Sequence, residues 1–275
     1  MEFSLWIILA LVGVGVMAGF YSGLLGTGGN IILIPFLDLL FSYRNMDPDL
    51  SVKYIIAHSL FITIFLGLSI SYKQFRIRNF HPKEVLMIGI PGMIVAFIIT
   101  ELVKSSESYD KLYFDMVFLF ILILIAIRLL FVHPRTLLEG EEENRNKLYF
   151  MGLGGLAGSI TSLSGLGGGV VLIPFMTDIQ RIHIRKASSI SIGVIMLMAI
   201  AVSISYMLGE GRSELLPGQF GFVSLYIVLP ILAGIVMATS YGVKVAHKTS
   251  PKKLRIIFGI MVALICVKTI YGILF

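Results

Sequence analysis

Two glycine clusters, Gly26-Thr-Gly-Gly-Asn30 and Gly165-Leu-Gly-Gly-Gly169, stand 139 positions apart, and each runs into an apolar stretch broken by a proline, Pro35 or Pro174. At a helix start the first four backbone N–H groups have no intrahelical partner, and glycine leaves them uncovered. The positive end of the helix dipole lies at the same place, so such a start suits a small anion. Gly26, Thr27, Gly28, Gly29 and Asn30 form one candidate half-site, and Gly165, Gly167, Gly168 and Gly169 the other. The chemistry indicated is reversible, non-covalent capture. Ser22, Thr161, Ser162 and Ser164 lie beside these glycines; a second hydroxyl group, Ser188, Ser189 and Ser191, has His58-Ser59 as its counterpart in the first half. Hydroxyls donate to an oxyanion without fixed charge, which suits a site that must also release. His58, just inside an apolar run, is an ionisable group at membrane depth. It could bind the anion when protonated or relay a proton. A neutral ring packed near the outer interface is the other reading. Asp38 and Asp178 follow their prolines closely and are weaker candidates, as gates or caps.

Other chemistries find little support. Gly23-Leu-Leu-Gly-Thr-Gly-Gly29 lacks the Lys-Ser/Thr of a phosphate loop, and no strand precedes it. Ser162-Leu-Ser164-Gly165 approaches the Gly-x-Ser-Gly of intramembrane serine proteases, but the leading glycine is missing and Leu25 stands at the duplicated position. There is no His-Glu-x-x-His, and the single cysteine, Cys266, excludes an intramolecular disulfide and reads as packing. No enzyme activity, cofactor or metal is expected. Gly13, Gly15, Gly19 and Gly23 fit the small-residue positions at which membrane helices pack closely.

The elements that must position these residues follow from hydropathy. The chain is 57% hydrophobic and 14% charged, where an average soluble domain carries about 25% charged residues. Apolar runs fall at 5–25, 30–43, 54–72, 85–103 and 112–132, then at 148–166, 169–180, 187–208, 221–243 and 254–274. The match between Gly19–Leu37 and Gly158–Met176 is identical at nine of nineteen positions, so the two sets of five are a duplication. The expected fold is an all-α polytopic membrane protein: a first repeat over 1–134, a cytoplasmic linker over 135–147 carrying Glu139, Glu141, Glu142 and Glu143, and a second repeat over 148–275. The N-terminus lacks a basic n-region, so the first run is expected to stay in the mature protein.

Lys and Arg in short loops mark the cytoplasmic side. Loop 73–84, the region 128–147, loop 178–186 and loop 244–255 hold 16 of the 22 basic residues. Placing all four inside makes the halves inverted relative to one another, with both termini outside, in a plasma (inner) membrane protein. The net charge of +6 is accounted for by this topology, and no nucleic-acid partner is expected. Runs two and seven are too short to cross a hydrocarbon core of about 30 Å. They are expected to be broken or re-entrant helices with glycine tips at depth, since irregular backbone is tolerated there only when sheltered or lining a cavity.

At Gly26-Thr-Gly-Gly-Asn-Ile-Ile-Leu-Ile-Pro35 and Gly165-Leu-Gly-Gly-Gly-Val-Val-Leu-Ile-Pro174, the chain resembles the TauE/SafE family of sulfite and organosulfur-anion permeases. The resemblance extends to length, duplicated architecture and the motif in each half; family members also tend to open the next helix with a hydroxyl pair, matched by His58-Ser59 and, more loosely, Ser189–Ser191. It implies secondary transport, usually export, of a small sulfur-containing anion such as sulfite or a short sulfonate, with proton coupling as an option. Two positions depart from the pattern. Asn30 replaces the third glycine of the first motif, and His58 stands where a small hydroxyl residue is usual. An anion channel with the same filter and, more remotely, an intramembrane hydrolase using Ser164 are the alternatives.

Overall fold

A computed structural model of the chain describes residues 5–25, 28–106, 109–131, 147–211, 216–248 and 251–274. Gly26, Thr27 and most of the expected linker lie outside the described residues. The described residues form ten helices: α1 (Leu5–Leu25), α2 (Asn30–Tyr43), α3 (Pro48–Arg76), α4 (Pro82–Ser105), α5 (Lys111–Phe131), α6 (Lys147–Ser164), α7 (Gly169–Asp178), α8 (Ile184–Leu208), α9 (Leu225–Lys248) and α10 (Pro251–Leu274). A two-residue hairpin, β1 (Gln219–Phe220) with β2 (Val223–Ser224), precedes α9. It takes the start of the ninth apolar run out of the helix.

Local chemistry fixes the helix starts. Asp47 accepts the Leu50 N–H at 3.0 Å while Pro48 opens α3, pairing a side-chain cap with a residue that has no N–H to satisfy. Pro82 and Pro251 open α4 and α10. Asp47 at α3, and His183 at α8 accepting the Arg185 N–H at 3.3 Å, start these helices ahead of the apolar runs read from sequence, at Pro48 and Ile184. Among the described residues, five helices are long and apolar enough to cross a membrane. Their outer faces present large apolar side chains such as Trp6, Leu102, Leu229 and Met237, which only lipid would cover favourably at this density.

The two halves exchange partners. α3 and α8 are the most enclosed spans and pack on each other; α1 packs on α9, α6 on α4, and α5 on α10. Short α2 lies on α3, as short α7 lies on α8. The α1–α9 and α4–α6 crossings are built on glycine. A Cβ on Gly15 or Gly234 would run into the backbone of the facing helix, as would one on Gly154 or Gly158. Gly13, by contrast, has open space around it. Ile88, Gly92 and Ala96 meet Gly154, Gly158 and Ser162 in ascending order, so α4 and α6 run parallel. Gly15, Gly19 and Phe20 meet Ile231, Ile235 and Gly242, so α1 and α9 do too. α3 and α8 run antiparallel, Gly67 meeting Met196 and Asn79 meeting Arg185.

Candidate functional site

The glycine motifs come together in the interior. Gly28, Gly165, Gly167 and Gly168 have φ of +86°, +69°, +81° and +67°, a left-handed backbone that side-chain-bearing residues adopt only at a cost. A Cβ on Gly28 would lie 3.9 Å from the Leu166 carbonyl oxygen, so the two loops approach to van der Waals contact. Gly29 then caps α2 and Gly168 caps α7, and neither helix start has a side-chain cap. The first intrahelical bonds are donated by Ile32 and Val171. The N–H groups of Asn30 and Ile31, and of Gly169 and Val170, precede them.

Asn30 joins the motifs. Its Nδ2 donates to the Gly165 carbonyl at 2.6 Å, and its Oδ1 accepts from Thr63 Oγ1 at 2.7 Å. Thr63 lies one turn beyond Ser59 on α3, and its hydroxyl also reaches the Ser59 carbonyl. Ser59 Oγ donates to the Ile56 carbonyl at 3.1 Å and sits 3.5 Å from the Gly165 oxygen. Asn30, Ser59, Thr63 and residues 165–169 are all buried. A polar cluster closed off in this way must be satisfied internally, and Asn30 supplies both a donor and an acceptor to it. Gly169, at the equivalent position, has no side chain to reciprocate.

The remaining hydroxyls divide into three groups. Thr161 bonds back to Ala157, and Ser162 to Gly158 and across to Ala96 on α4. Ser164 donates to the Ile160 carbonyl at 2.7 Å and accepts from the Leu166 N–H. It sits inside the glycine turn as a backbone brace, with no base beside it. Ser22 and Ser191 are buried and have no hydrogen-bond partner among the described residues. Ser22 is one turn beyond Ala18, whose Cβ and carbonyl face Gly29; Ser191 is one turn before Ile195, which faces Gly167. Ser189 is elsewhere: its hydroxyl is tied to the Asn79 carbonyl in the connector between α3 and α4, with half-buried Ser188 next to it.

His58 points away from the glycines although Ser59 next to it faces them. Its Nε2 accepts the Ser224 N–H of β2 at 2.9 Å, and its Nδ1 lies 2.7 Å from the Tyr54 carbonyl. A ring that accepts on one nitrogen and donates on the other is neutral, with the proton on Nδ1. The Tyr54 ring stacks on it and Phe41 packs against both rings. Asp38 is bound by Lys111 and Lys268, and the Asp178 side chain lies outside the described residues. Among the described residues no group of His, Cys, Asp and Glu could hold a metal ion.

Sequence reasoning missed Thr63. The signal was available, because it follows Ser59 by four positions and so shares its helix face. The role of Ser224 had no such signal, since that contact spans 166 positions.

A profile of the family described as sulfite exporter TauE/SafE matches residues 11–269. A probable membrane transporter protein of Methanocaldococcus jannaschii is 29% identical over 266 residues, covering 95% of this chain and 96% of that one. Another, YunE of Bacillus subtilis, is 25% identical over 280 residues, covering 95% and 96%. A third, from Haemophilus influenzae, is 22% identical over 263 residues, covering 95% and 97%. No solved structure matches the chain.

Proposed function

This chain belongs to the sulfite exporter TauE/SafE family and is a multi-pass membrane transporter, not an enzyme, and on that premise we propose that it exports a small sulfur-containing oxyanion held between its two glycine motifs. The observation that carries the reading is the meeting of two helix starts, α2 and α7, uncapped by side chains and joined by Asn30. N–H groups converging from two positive helix ends would attract an anion, and Ser22 and Ser191 would add neutral donors. Sulfite or a short sulfonate fits these donors, and the family's name favours sulfite.

The closed cluster fits one state of an alternating-access cycle. For an anion to enter, the Asn30 amide must leave the Gly165 carbonyl, and the same N–H groups can then donate to the cargo. We place the halves as inverted repeats with both termini outside. In support, α1 runs parallel to α9 and α4 parallel to α6, while α3 and α8 are antiparallel. This is the pattern expected when equivalent helices of two halves run in opposite directions. The distribution of Lys and Arg agrees.

Uptake of labelled sulfite, sulfate, thiosulfate and a short sulfonate into proteoliposomes, with and without an imposed pH gradient, tests the proposal. Uphill accumulation of one anion supports coupled transport. Flux that only dissipates a cargo gradient would favour a channel, and no flux of any of the four would remove the sulfur-anion reading.

A further inference from the structure

Four alternating charges link three helices around a small cavity. Lys268 of α10 contacts Asp38 Oδ2 on α2; Asp38 Oδ1 lies 3.0 Å from Lys111 Nζ at the start of α5; Lys111 Nζ lies 2.6 Å from Asp115 Oδ1, one turn further along α5. The ends of the series, Asp115 and Lys268, line the same cavity with Asp38, Thr269, Phe114 and Phe118. Its size suits about one water molecule. Both carboxylates are only 16% exposed, and Lys111 also lies 5.4 Å from the centre of the Phe114 ring. Charges set among apolar and aromatic walls are held by partners or change protonation state.

We propose that this quartet is the proton-binding site of the transporter, with Asp115 as the carboxylate that takes the proton; the inference rests on the reading of the chain as a proton-coupled anion carrier. Asp38 is held by two ammonium groups, one on each oxygen, whereas Asp115 has a share in one. Asp115 is therefore the carboxylate that loses least on protonation. A proton from water adds to its carboxylate, the quartet passes from neutral to a charge of +1, and Lys111 is left to Asp38 alone. The other ionisable groups nearby have partners of their own. Asp49 on α3 accepts the Lys111 backbone N–H at 2.9 Å, Asp110 caps the Tyr113 N–H at 2.9 Å, and the Tyr109 phenol, within electrostatic reach of Asp115, donates to the Leu163 carbonyl.

The coupling path is α2 itself. Asp38 and Asn30 are eight residues apart on this one short helix, about 12 Å along its axis. The start of α2 is tied to the Gly165 carbonyl and its middle to two lysines, so a change in the hold on Asp38 bears on the latch between the glycine motifs. In the inverted topology the start of α5 and the end of α10 face outside, which opens the cavity to the side from which a proton enters as an anion leaves.

The test uses the full chain in proteoliposomes with labelled sulfite. Asp115→Asn is expected to keep sulfite exchange without a pH gradient while losing gradient-driven accumulation about tenfold or more; Asp115→Glu should restore accumulation. Infrared spectroscopy of the purified protein gives a readout independent of cargo: a protonated-carboxyl C=O band that titrates in the parent and is missing in Asp115→Asn. Undiminished accumulation in Asp115→Asn, loss of exchange together with accumulation, or an unchanged infrared band would each overturn the assignment. A parent protein that exchanges sulfite but never responds to a pH gradient would instead remove the proton-coupled reading beneath it.

Discussion

The amide nitrogen of Asn30 lies 2.6 Å from the carbonyl oxygen of Gly165, a buried bond between corresponding motifs of the two halves. The duplication brings two similar turns face to face, and the one residue that departs from the glycine pattern crosses between them. Replacement by aspartate would set a carboxylate oxygen against that carbonyl, acceptor against acceptor, while Thr63 could still donate to the other oxygen. Asn30→Asp should abolish sulfite flux. Asn30→Gly, which copies the second motif, should fold at a cost of about 1 kcal/mol and bind the anion more weakly. Thermal unfolding in detergent and the KM for uptake would separate the two effects.

Gly28 and Gly168 share a left-handed backbone but differ in surroundings. A Cβ on Gly168 would lie 2.7 Å from the Ala157 carbonyl and 2.9 Å from Thr161 Oγ1, whereas one on Gly28 would meet nothing closer than 3.9 Å among the described residues. Gly28→Ala therefore carries backbone strain alone, about 1–2 kcal/mol. Gly168→Ala adds overpacking of roughly another 1–3 kcal/mol. Unfolding temperatures should fall in that order. If transport through Gly28→Ala equals the parent's, Gly28 is not part of the anion site.

His58 offers a test of the proton-relay idea. Replacing it with phenylalanine leaves the Ser224 N–H buried and unpaired, a loss of about 1–3 kcal/mol. The pH profile of transport should stay where it is, because both ring nitrogens are already engaged. A profile displaced along the pH axis in His58→Phe would return His58 to the coupling mechanism.

Helix crossing gives a pair of controls. A Cβ on Gly154 would strike the Ile88 carbonyl, while Gly152, two residues earlier, has nothing within 4 Å among the described residues. Gly154→Ala should force α4 and α6 apart and lower the yield of folded protein. Gly152→Ala should be neutral or stabilise by about 0.5–1 kcal/mol, as read by thermal unfolding.

Helix content and helix bounds were largely legible, because hydropathy and glycine position act locally. α1 and α2 begin and end at the limits of their apolar runs, and the start of α7 at Gly169 coincides with the end of its glycine cluster. What the sequence withheld were contacts made across the repeat. Nothing local shows that Asn30 reaches Gly165 rather than bonding within its own turn, or that His58 turns from the glycines to a hairpin N–H. The Ser188–Ser191 group shows the same limit, with Ser189 tied to the α3–α4 connector and Ser191 buried without a partner among the described residues. Hydroxyl clustering in sequence does not specify which side of a helix each residue occupies.

The crossing of α1 with α9 also bears on biosynthesis. Residues Gly15 and Gly19 emerge early, but the helix they fit closely begins at Leu225. At roughly 5–20 residues per second, a ribosome needs about 10–40 s to supply it. Throughout that interval the glycine face of α1 has no mate and must be shielded by lipid or by the insertion machinery. The second half inherits no such delay, because α4 is already in place when α6 is made.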